Sequence, residues 1–337
     1  MRNRYLDLLR AVATLRVVVY HSTGWAALTV IFPAMSVMFA LAGSMMAASL
    51  DRYGPWAVER RLHRLLPAVW VLVGVAVPSM LISGLVWNWT ILLWAFPIQD
   101  PPATGFWMEG LAAMWYLRDF LWFVLLSPLA LPVFRRFPLP TILFPYAGLA
   151  VITFAGIAPP AVVRDLALYG GAWLLGFAHN DGMLTRRRWW LIGALAVAGA
   201  AWSLTHPGPR GLDLNDIPLG NALWSAAFIL IFLSISPVMR ARRVLTVLNA
   251  RALTIYLWHV PLIVAVVKFA EAVGLPVAGW TGISWRLAVV AVLLAIVVLA
   301  VGWVEDVSAG RRPSLVPGGR PVVAVSPVAP ELVSSAR

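Results

Sequence analysis

The amino-acid sequence predicts an all-α, polytopic integral membrane protein with about ten transmembrane helices. Its composition is 61% hydrophobic and only 12% charged, whereas ordinary soluble domains have about 45–50% apolar and about 25% charged residues. The apolar residues fall into runs close to the ~20 residues that a helix needs to cross the hydrocarbon core. The basic residues collect between alternate pairs of these runs. We therefore predict helices that cross a membrane repeatedly.

The apolar runs give approximate bounds for each predicted span. They cover roughly residues 8–28, 31–50, 66–86, 114–134, 139–158, 162–178, 189–204, 217–238, 253–270 and 284–304. The run from Trp89 to Phe96 is too short to cross, so we interpret it as an interfacial or re-entrant segment on the non-cytoplasmic side. Residues 1–306 are predicted to form one membrane domain, and residues 307–337, rich in Pro, Val, Gly and Ser, a flexible cytoplasmic tail.

The distribution of arginines predicts the orientation, because short cytoplasmic loops carry an excess of Lys and Arg. The arginines of the tail and of every second loop fall on one side: Arg2, Arg4, Arg52, Arg60, Arg61, Arg64, Arg135, Arg136, Arg186, Arg187, Arg188, Arg240, Arg242, Arg243, Arg251, Arg311, Arg312 and Arg320. The opposite loops are mainly acidic, with Arg164 and Arg210 as exceptions. Both termini are therefore predicted to be cytoplasmic.

The net charge of +12 is explained by this topology and requires no nucleic-acid partner. A specific anionic ligand on the cytoplasmic face is the other interpretation of the same charge. The chain has no cysteine, which excludes a disulfide framework and a thiol nucleophile. We find no residue spacing typical of a metal site, and we expect no metal.

The first span carries polar residues on one helix face, which is costly inside a bilayer and indicates a functional site. Arg10 and His21 are eleven positions apart, which returns them to nearly the same face about 16 Å apart along the axis. Asp7 and Thr14 fall on that face as well. Arg16 lies on a different side of the helix, where we expect it to pair with another helix.

Five stretches, the first of them on this polar helix, follow one another along the chain. They are YLDLLRAVATLRVVVYH at 5–21, ERRLHRLLPAVW at 59–70, MWYLRDFLWFVLLSP at 114–128 and LTIYLWHVPL at 253–262, followed by VED at 304–306. Together they resemble the acyltransferase-3 family of membrane proteins, whose first helix carries an Arg, ten residues and then a His. Two positions depart from the family pattern: Ala42 replaces a Ser of the second helix, and Asp119 stands four residues after Trp115, where some members have a Glu five after it.

The resemblance implies transfer of an acyl group, commonly acetyl, from cytoplasmic acyl-CoA to a hydroxyl of a glycan, glycolipid or related acceptor. Acyl-CoA is then a donor substrate, with no permanently bound cofactor, and the partners are this donor, the acceptor and membrane lipid. It implies a multi-pass protein of the inner or plasma membrane, active in modifying polysaccharide of a bacterial cell envelope. Protein partners do not follow from it.

His21, Arg10 and Asp119 are the candidate catalytic residues. Imidazole is suited to remove a hydroxyl proton near neutral pH, and it can equally carry the acyl group covalently, so both roles for His21 stay open. Arg10, Arg61 and Arg64 are the candidate ligands of the CoA phosphates, because guanidinium groups match phosphate geometry. For Arg10 the alternative is structural pairing with Asp7.

The remaining candidates support these residues. Adjacent charges at Arg118 and Asp119 inside a span predict an ion pair that fixes helix packing, or that orients His21 or the acceptor. Supporting positions are Asp7, Thr14, Trp115, Arg118, Tyr256 and His259, with Arg164 and Asp165 holding the sixth span or touching the acceptor.

Two other functions are compatible with the same residues. Intramembrane charges also mark substrate pathways in transporters or exporters, although the chain has no internal repeat. A non-catalytic membrane partner with this fold is the third possibility.

Overall fold

Fourteen α-helices make up most of the computed structural model, which describes residues 4–184, 188–235, 237–240 and 242–317. They are α1 Arg4–Thr23, α2 Ala27–Ile31, α3 Ala34–Tyr53, α4 Trp56–Ile82, α5 Phe106–Gly110, α6 Met114–Arg136, α7 Pro138–Phe154, α8 Ala161–Asn180, α9 Trp189–Thr205, α10 Pro218–Leu233, α11 Arg243–Ala250, α12 Ala252–Ala272, α13 Gly279–Val301 and α14 Trp303–Ser308. The described residues contain no β-strand, only an isolated bridge between Gly208 and Gly211.

The prediction of a polytopic all-α membrane protein is confirmed. Within the described residues, six segments are long and apolar enough to cross a membrane: α2 with α3, α4, α6, α8, α12 and α13. The apolar helices α7, α9 and α10 are shorter, with 17, 17 and 16 residues, and α1 has 20 residues but carries several charges. Each of the ten predicted spans coincides with one of these ten long helices.

The third predicted span begins earlier than the hydropathy indicates. We expected it to start near residue 66, whereas α4 begins at Trp56, directly after Pro55. Glu59 and His63 face each other one turn apart at 3.4 Å, a spacing that supports a helix even in a polar segment. Arg61 and Arg64 therefore lie on a helix instead of in a loop.

The segment that we predicted to be too short for a span is a 3₁₀-helix, Trp89–Trp94. Trp94 is buried and its indole N–H donates to the Pro102 carbonyl at 3.0 Å. The indole of Trp70 donates to the Ala95 carbonyl at 2.9 Å. The bond from Trp70 holds the segment against α4, and the bond to Pro102 holds it against the loop before α5. The position of the segment relative to a membrane interface stays a prediction.

Helices α3 and α8 approach closely at two glycines. A Cβ on Gly43 would collide with the Trp173 carbonyl oxygen, and one on Gly176 with the Ala40 carbonyl oxygen. Small residues of this kind allow helix backbones to pack tightly inside a membrane. Trp173 also stacks on Phe123 of α6, with ring centroids 5.1 Å apart, so that three helices share one core.

The VED sequence near the end of the domain caps helix α12. One carboxylate oxygen of Glu305 accepts hydrogen bonds from the backbone N–H of Thr254 at 2.9 Å and from its hydroxyl at 2.5 Å. The first N–H groups of a helix have no partner within the helix, so Glu305 satisfies one of them from a distant helix. Next to it, buried Arg251 donates to Asp306 at 2.6 Å.

The helix ends define two faces of the molecule. On one face Arg135, at the end of α6, binds Asp51 at 2.7 Å and Asp181 at 2.8 Å, which joins the ends of α3, α6 and α8. We call this the basic face, because α4 also begins here with Arg61 and Arg64. The opposite face, formed by the loops after α1, α4, α7 and α9, is called the loop face.

The assignment of the basic face to the cytoplasm stays a prediction, and the absence of native cysteine provides a direct test. Single cysteines at Arg312 and at Glu271, both exposed, are compared in intact cells with an impermeant maleimide. We expect labelling of Glu271→Cys in intact cells and of Arg312→Cys only after permeabilisation. The reverse pattern would invert the topology.

Candidate functional site

A polar cavity opens on the loop face around His21. It has a volume of about 600 Å³, and we call it the His21 cavity. Its walls come from α1, α3, α6, α8, α12 and the loops before α5 and α10: Arg16, Val17, Tyr20, His21, Met35, Asp100, Trp115, Arg118, Ala161, Arg164, Asp165, Leu168, Tyr169, Pro209, Arg210, Asn215, Asp216, Pro218 and Tyr256.

The imidazole of His21 is exposed to this cavity and lies beside a second, buried imidazole. The ring centroids of His21 and His259 are 5.1 Å apart. The Nδ1–H of His259 donates to the Tyr256 carbonyl at 2.5 Å, so in the neutral ring Nε2 carries a lone pair. This Nε2 is buried and has no hydrogen-bond partner among the described residues.

A cluster of charges forms the wall between α6 and α8. Arg118 is almost completely buried and donates to three carboxylates, with distances of 2.9 Å to Asp119, 2.5 Å to Asp100 and 2.5 Å to Asp165. Asp165 also accepts from Arg164 at 3.0 Å. The predicted Arg118–Asp119 ion pair is therefore present and is one part of a larger network.

Aromatic side chains form another wall of the cavity. Trp115 stacks on Tyr169 with ring centroids 5.5 Å apart and planes 20° apart. Tyr169 in turn packs against Phe39, with centroids at 4.9 Å. A flat aromatic surface next to charged and polar groups is suited to bind an amphipathic, hydroxylated ligand.

A loop before α10 covers part of the cavity and was not predicted from sequence. Arg210 donates to Asp216 at 2.7 Å and to the Tyr20 hydroxyl at 2.7 Å, and that hydroxyl donates to buried Asp213 at 2.6 Å. The Arg210 guanidinium lowers the pKa of the Asp216 carboxyl. The stabilisation from this pair is therefore fully present above the ordinary carboxyl pKa and is lost as the pH falls through the lowered value.

Arg16 of α1 also belongs to the His21 cavity. Its Nε–H donates to the Leu28 carbonyl at 3.0 Å, and its guanidinium lies 4.9 Å from the centre of the Tyr20 ring. The expected pairing of Arg16 with another helix is confirmed by the contact with α2. Its presence in the cavity was missed, because helical angle alone placed it away from His21.

A second cavity of about 250 Å³ opens on the basic face, and we call it the arginine cavity. Arg10, Arg61 and Arg64 line it together with Glu305. The other lining residues are Met38, Ala42, Met45, Leu65, Tyr116, Leu117, Phe120, Asn249, Ala252, Leu253 and Tyr256. Arg10 approaches the Met45 sulfur at 2.6 Å. Three guanidinium groups in one concave site provide a strong attraction for a multiply charged anion.

Tyr256 lines both cavities. Its ring centroid lies 5.0 Å from that of Tyr116, which lies 4.7 Å from Phe39. We call these three rings the aromatic layer. The Tyr256 hydroxyl donates to the Ala113 carbonyl at 2.5 Å, which fixes the ring that separates the cavities.

Comparison with protein families decides the class of protein. The sequence model of the acyltransferase-3 family, which describes an acyltransferase domain, matches residues 3–303. The chain belongs to the acyltransferase-3 family. No curated protein and no solved structure gives a match to the chain. The resemblance predicted from the motifs is confirmed, and the protein is a membrane acyltransferase in the general sense of the family.

In this acyltransferase the predicted polar face of the first helix is divided between two cavities. Arg10 lines the arginine cavity and His21 lines the His21 cavity. Thr14, between them, is buried and its hydroxyl donates to the Arg10 carbonyl at 3.0 Å. The Asp7 carbonyl accepts from Asn249 at 2.8 Å. Neither Asp7 nor Thr14 is among the residues that line these two cavities, so their supporting roles stay predictions.

The other predicted residues separate in the same way. Trp115, Arg118 and Tyr256 line the His21 cavity, whereas Asp119 and His259 lie buried behind its wall. One carboxylate oxygen of Asp119 bonds Arg118, and the other is buried without a hydrogen-bond partner among the described residues. Asp119 is therefore positioned to hold Arg118 and does not reach the cavity surface.

We predict that Arg118→Met destabilises the acyltransferase by about 3–5 kcal/mol, because it leaves buried carboxylates without a counter-charge. Additional substitutions Asp119→Asn and Asp165→Asn should restore much of this loss. Asp100→Asn is the matched control, because the Asp100 side chain is 58% exposed and an exposed pair contributes only about 0–1 kcal/mol. The measurement is unfolding in detergent. A fully stable Arg118→Met variant would contradict the electrostatic role of the cluster.

Proposed function

We propose that the protein is an O-acyltransferase that takes an acyl group from acyl-CoA at the arginine cavity and delivers it to a hydroxyl at the His21 cavity. The observation that carries this proposal is that the two cavities open on opposite faces and share Tyr256. A membrane-spanning transfer needs a donor site and an acceptor site in contact through a narrow passage. The aromatic layer lies at the position of that passage.

The composition of the arginine cavity favours a phosphorylated donor. CoA carries several phosphate groups, and guanidinium donors bind phosphate oxygens in pairs. Arg10, Arg61 and Arg64 supply these donors on the face that the arginine distribution assigns to the cytoplasm, where acyl-CoA is made. The apolar residues of the cavity, such as Met38 and Leu65, suit the pantetheine arm.

His21 is the proposed reacting group on the acceptor side. As a general base, its imidazole takes the acceptor hydroxyl proton while the oxygen attacks the thioester carbonyl, and the C–S bond breaks to release the CoA thiolate. The imidazolium then returns the proton to the thiolate. In the covalent alternative, imidazole attacks first, CoA thiol leaves, and the acyl-imidazole passes its acyl group to the hydroxyl.

His259 is proposed to position His21. The Nδ1–H of His259 donates to the Tyr256 carbonyl, which leaves its Nε2 unprotonated. The ring centroids of His259 and His21 are 5.1 Å apart. In this role an N–H of the His21 ring donates to the lone pair of His259. The second nitrogen of His21 would then be the basic atom that faces the cavity.

The features of the His21 cavity favour a glycan or glycolipid acceptor. Its volume of about 600 Å³ is within the range of small-molecule sites, roughly 300–1,000 Å³. Trp115 offers an aromatic surface, and Arg164 and Asp165 offer hydrogen-bonding groups for hydroxyls. We propose acetyl as the acyl group and the inner or plasma membrane of a bacterial cell as the location, with polysaccharide of the cell envelope as the acceptor.

The first test measures [14C]acetyl-CoA turnover by purified protein with and without a membrane-glycan extract. His21→Ala should lower turnover by about 100-fold or more, because general acid–base catalysis contributes about 10²–10⁴-fold. His63→Ala is the matched control, because His63 is exposed and lies outside both cavities. Full activity in His21→Ala would contradict the role of His21, and no turnover in any preparation would favour transport or a non-catalytic role.

A second test addresses the donor site. Arg61→Gln and Arg64→Gln should each raise the KM for acetyl-CoA by about tenfold with a smaller effect on kcat, because each removes a charged phosphate contact. Arg60→Gln is the matched control: Arg60 lies 4.1 Å over the Tyr53 ring and does not line the cavity. Equal effects at all three positions would indicate general surface charge instead of a phosphate site.

A further inference from the structure

An apolar crevice of about 490 Å³ lies between α7 and α9, apart from both proposed substrate cavities. Helix α8 and helix α10 form its back wall. Its lining is almost entirely aliphatic, and Tyr146, Arg188 and Ser234 are the polar members. It is therefore suited to a long apolar ligand with a polar end.

The crevice arises because α7 and α9 diverge toward the basic face. Near the loop face the two helices are in contact through Phe154 and Trp202, whose rings meet edge to face with centroids 5.4 Å apart. The crevice is lined by the other ends of the same helices, from Pro138 on α7 and from Leu191 on α9. The space between the helices is thus a wedge that is closed toward one face and open toward the other.

The dimensions of the wedge fit the depth of one membrane leaflet. Along α7 its lining extends from Pro138 to Tyr146, which is about 12 Å of helix, close to half of the ~30 Å hydrocarbon core. At the inner end, the Tyr146 ring lies directly against Gly171, where any side chain would collide with the phenol. The depth of the crevice therefore depends on the glycine at position 171.

The two openings of the crevice differ in chemistry. Leu139 and Leu143 on its lateral edge are 65% and 52% exposed, so that side opens toward the surrounding hydrocarbon. Arg188 lies at the end on the basic face, directly before α9, is exposed, and forms no ion pair within the described part of the chain. The unsatisfied N–H groups at the start of α9 add to the attraction for an anion at this position.

We propose that this crevice binds one acyl chain of an anionic phospholipid from the leaflet that surrounds the basic face, with its phosphate at Arg188. The lateral opening admits the chain from the bilayer, the aliphatic walls cover it, and Tyr146 limits its depth. The basic side chain at the mouth selects a lipid with net negative charge. This lipid is distinct from the acyl donor and the acceptor, and the site does not depend on the proposed transfer reaction.

Native mass spectrometry of the delipidated full chain in detergent tests the proposal with phosphatidylglycerol and phosphatidylcholine as probes. Leu191→Trp fills the crevice and should weaken phosphatidylglycerol binding at least tenfold. Val197→Trp is its control, because Val197 is on the same helix, outside the crevice and 68% exposed. Arg188→Gln should weaken phosphatidylglycerol about fivefold and leave phosphatidylcholine unchanged, whereas Arg52→Gln, on another helix, should change neither.

Unchanged binding in both Leu191→Trp and Arg188→Gln would overturn the proposal. Equal losses in Val197→Trp and Leu191→Trp would also contradict it, since they would place the lipid on the outer helix surface. If Leu191→Trp fails to elute as folded protein in size exclusion, Arg188→Gln decides, because this exposed side chain has no structural partner in the described residues.

Discussion

Burial of Arg118 among three carboxylates is the constraint on which the rest of the site depends. The carboxylates come from the loop before α5, from α6 itself and from α8, so a single guanidinium fixes the relative position of three segments. Such a charge is tolerated inside an apolar bundle only when buried carboxylates neutralise it. With α6 and α8 fixed in this way, Trp115 and Tyr169 stack and form one wall of the His21 cavity.

The two faces of the protein offer different chemistry to their ligands. The arginine cavity concentrates positive charge and apolar surface, whereas the His21 cavity combines an imidazole with carboxylates, guanidinium groups and aromatic rings. The aromatic layer keeps these environments separate while leaving Tyr256 in contact with both. Arg10 and His21 are about 16 Å apart along α1. The proposed transfer has to cover this distance across the aromatic layer.

Local sequence features predicted the helices, whereas contacts between distant segments determine which residues form the candidate site. Ten apolar runs gave ten helices because hydrophobic length is a property of each segment. The Arg118–Asp119 pair was visible because the two residues are adjacent, but Asp100 and Asp165 could not be assigned to it, since they lie 18 and 47 positions away. The loop with Arg210 and Asp216 carries no recognisable motif. Thr14 lines neither cavity, and its hydroxyl donates to a carbonyl of its own helix.

The position of Glu305 late in the chain determines when the arginine cavity can form during synthesis. Glu305 caps α12 and lines the arginine cavity, which Arg10 also lines. One wall of this cavity therefore comes from the start of the chain and another from nearly 300 positions later. Contacts between such distant segments form late, because the intervening chain has to be ordered first. A ribosome-bound chain that has not yet reached residue 305 therefore lacks a finished arginine cavity, and a partly inserted protein cannot present the proposed donor site.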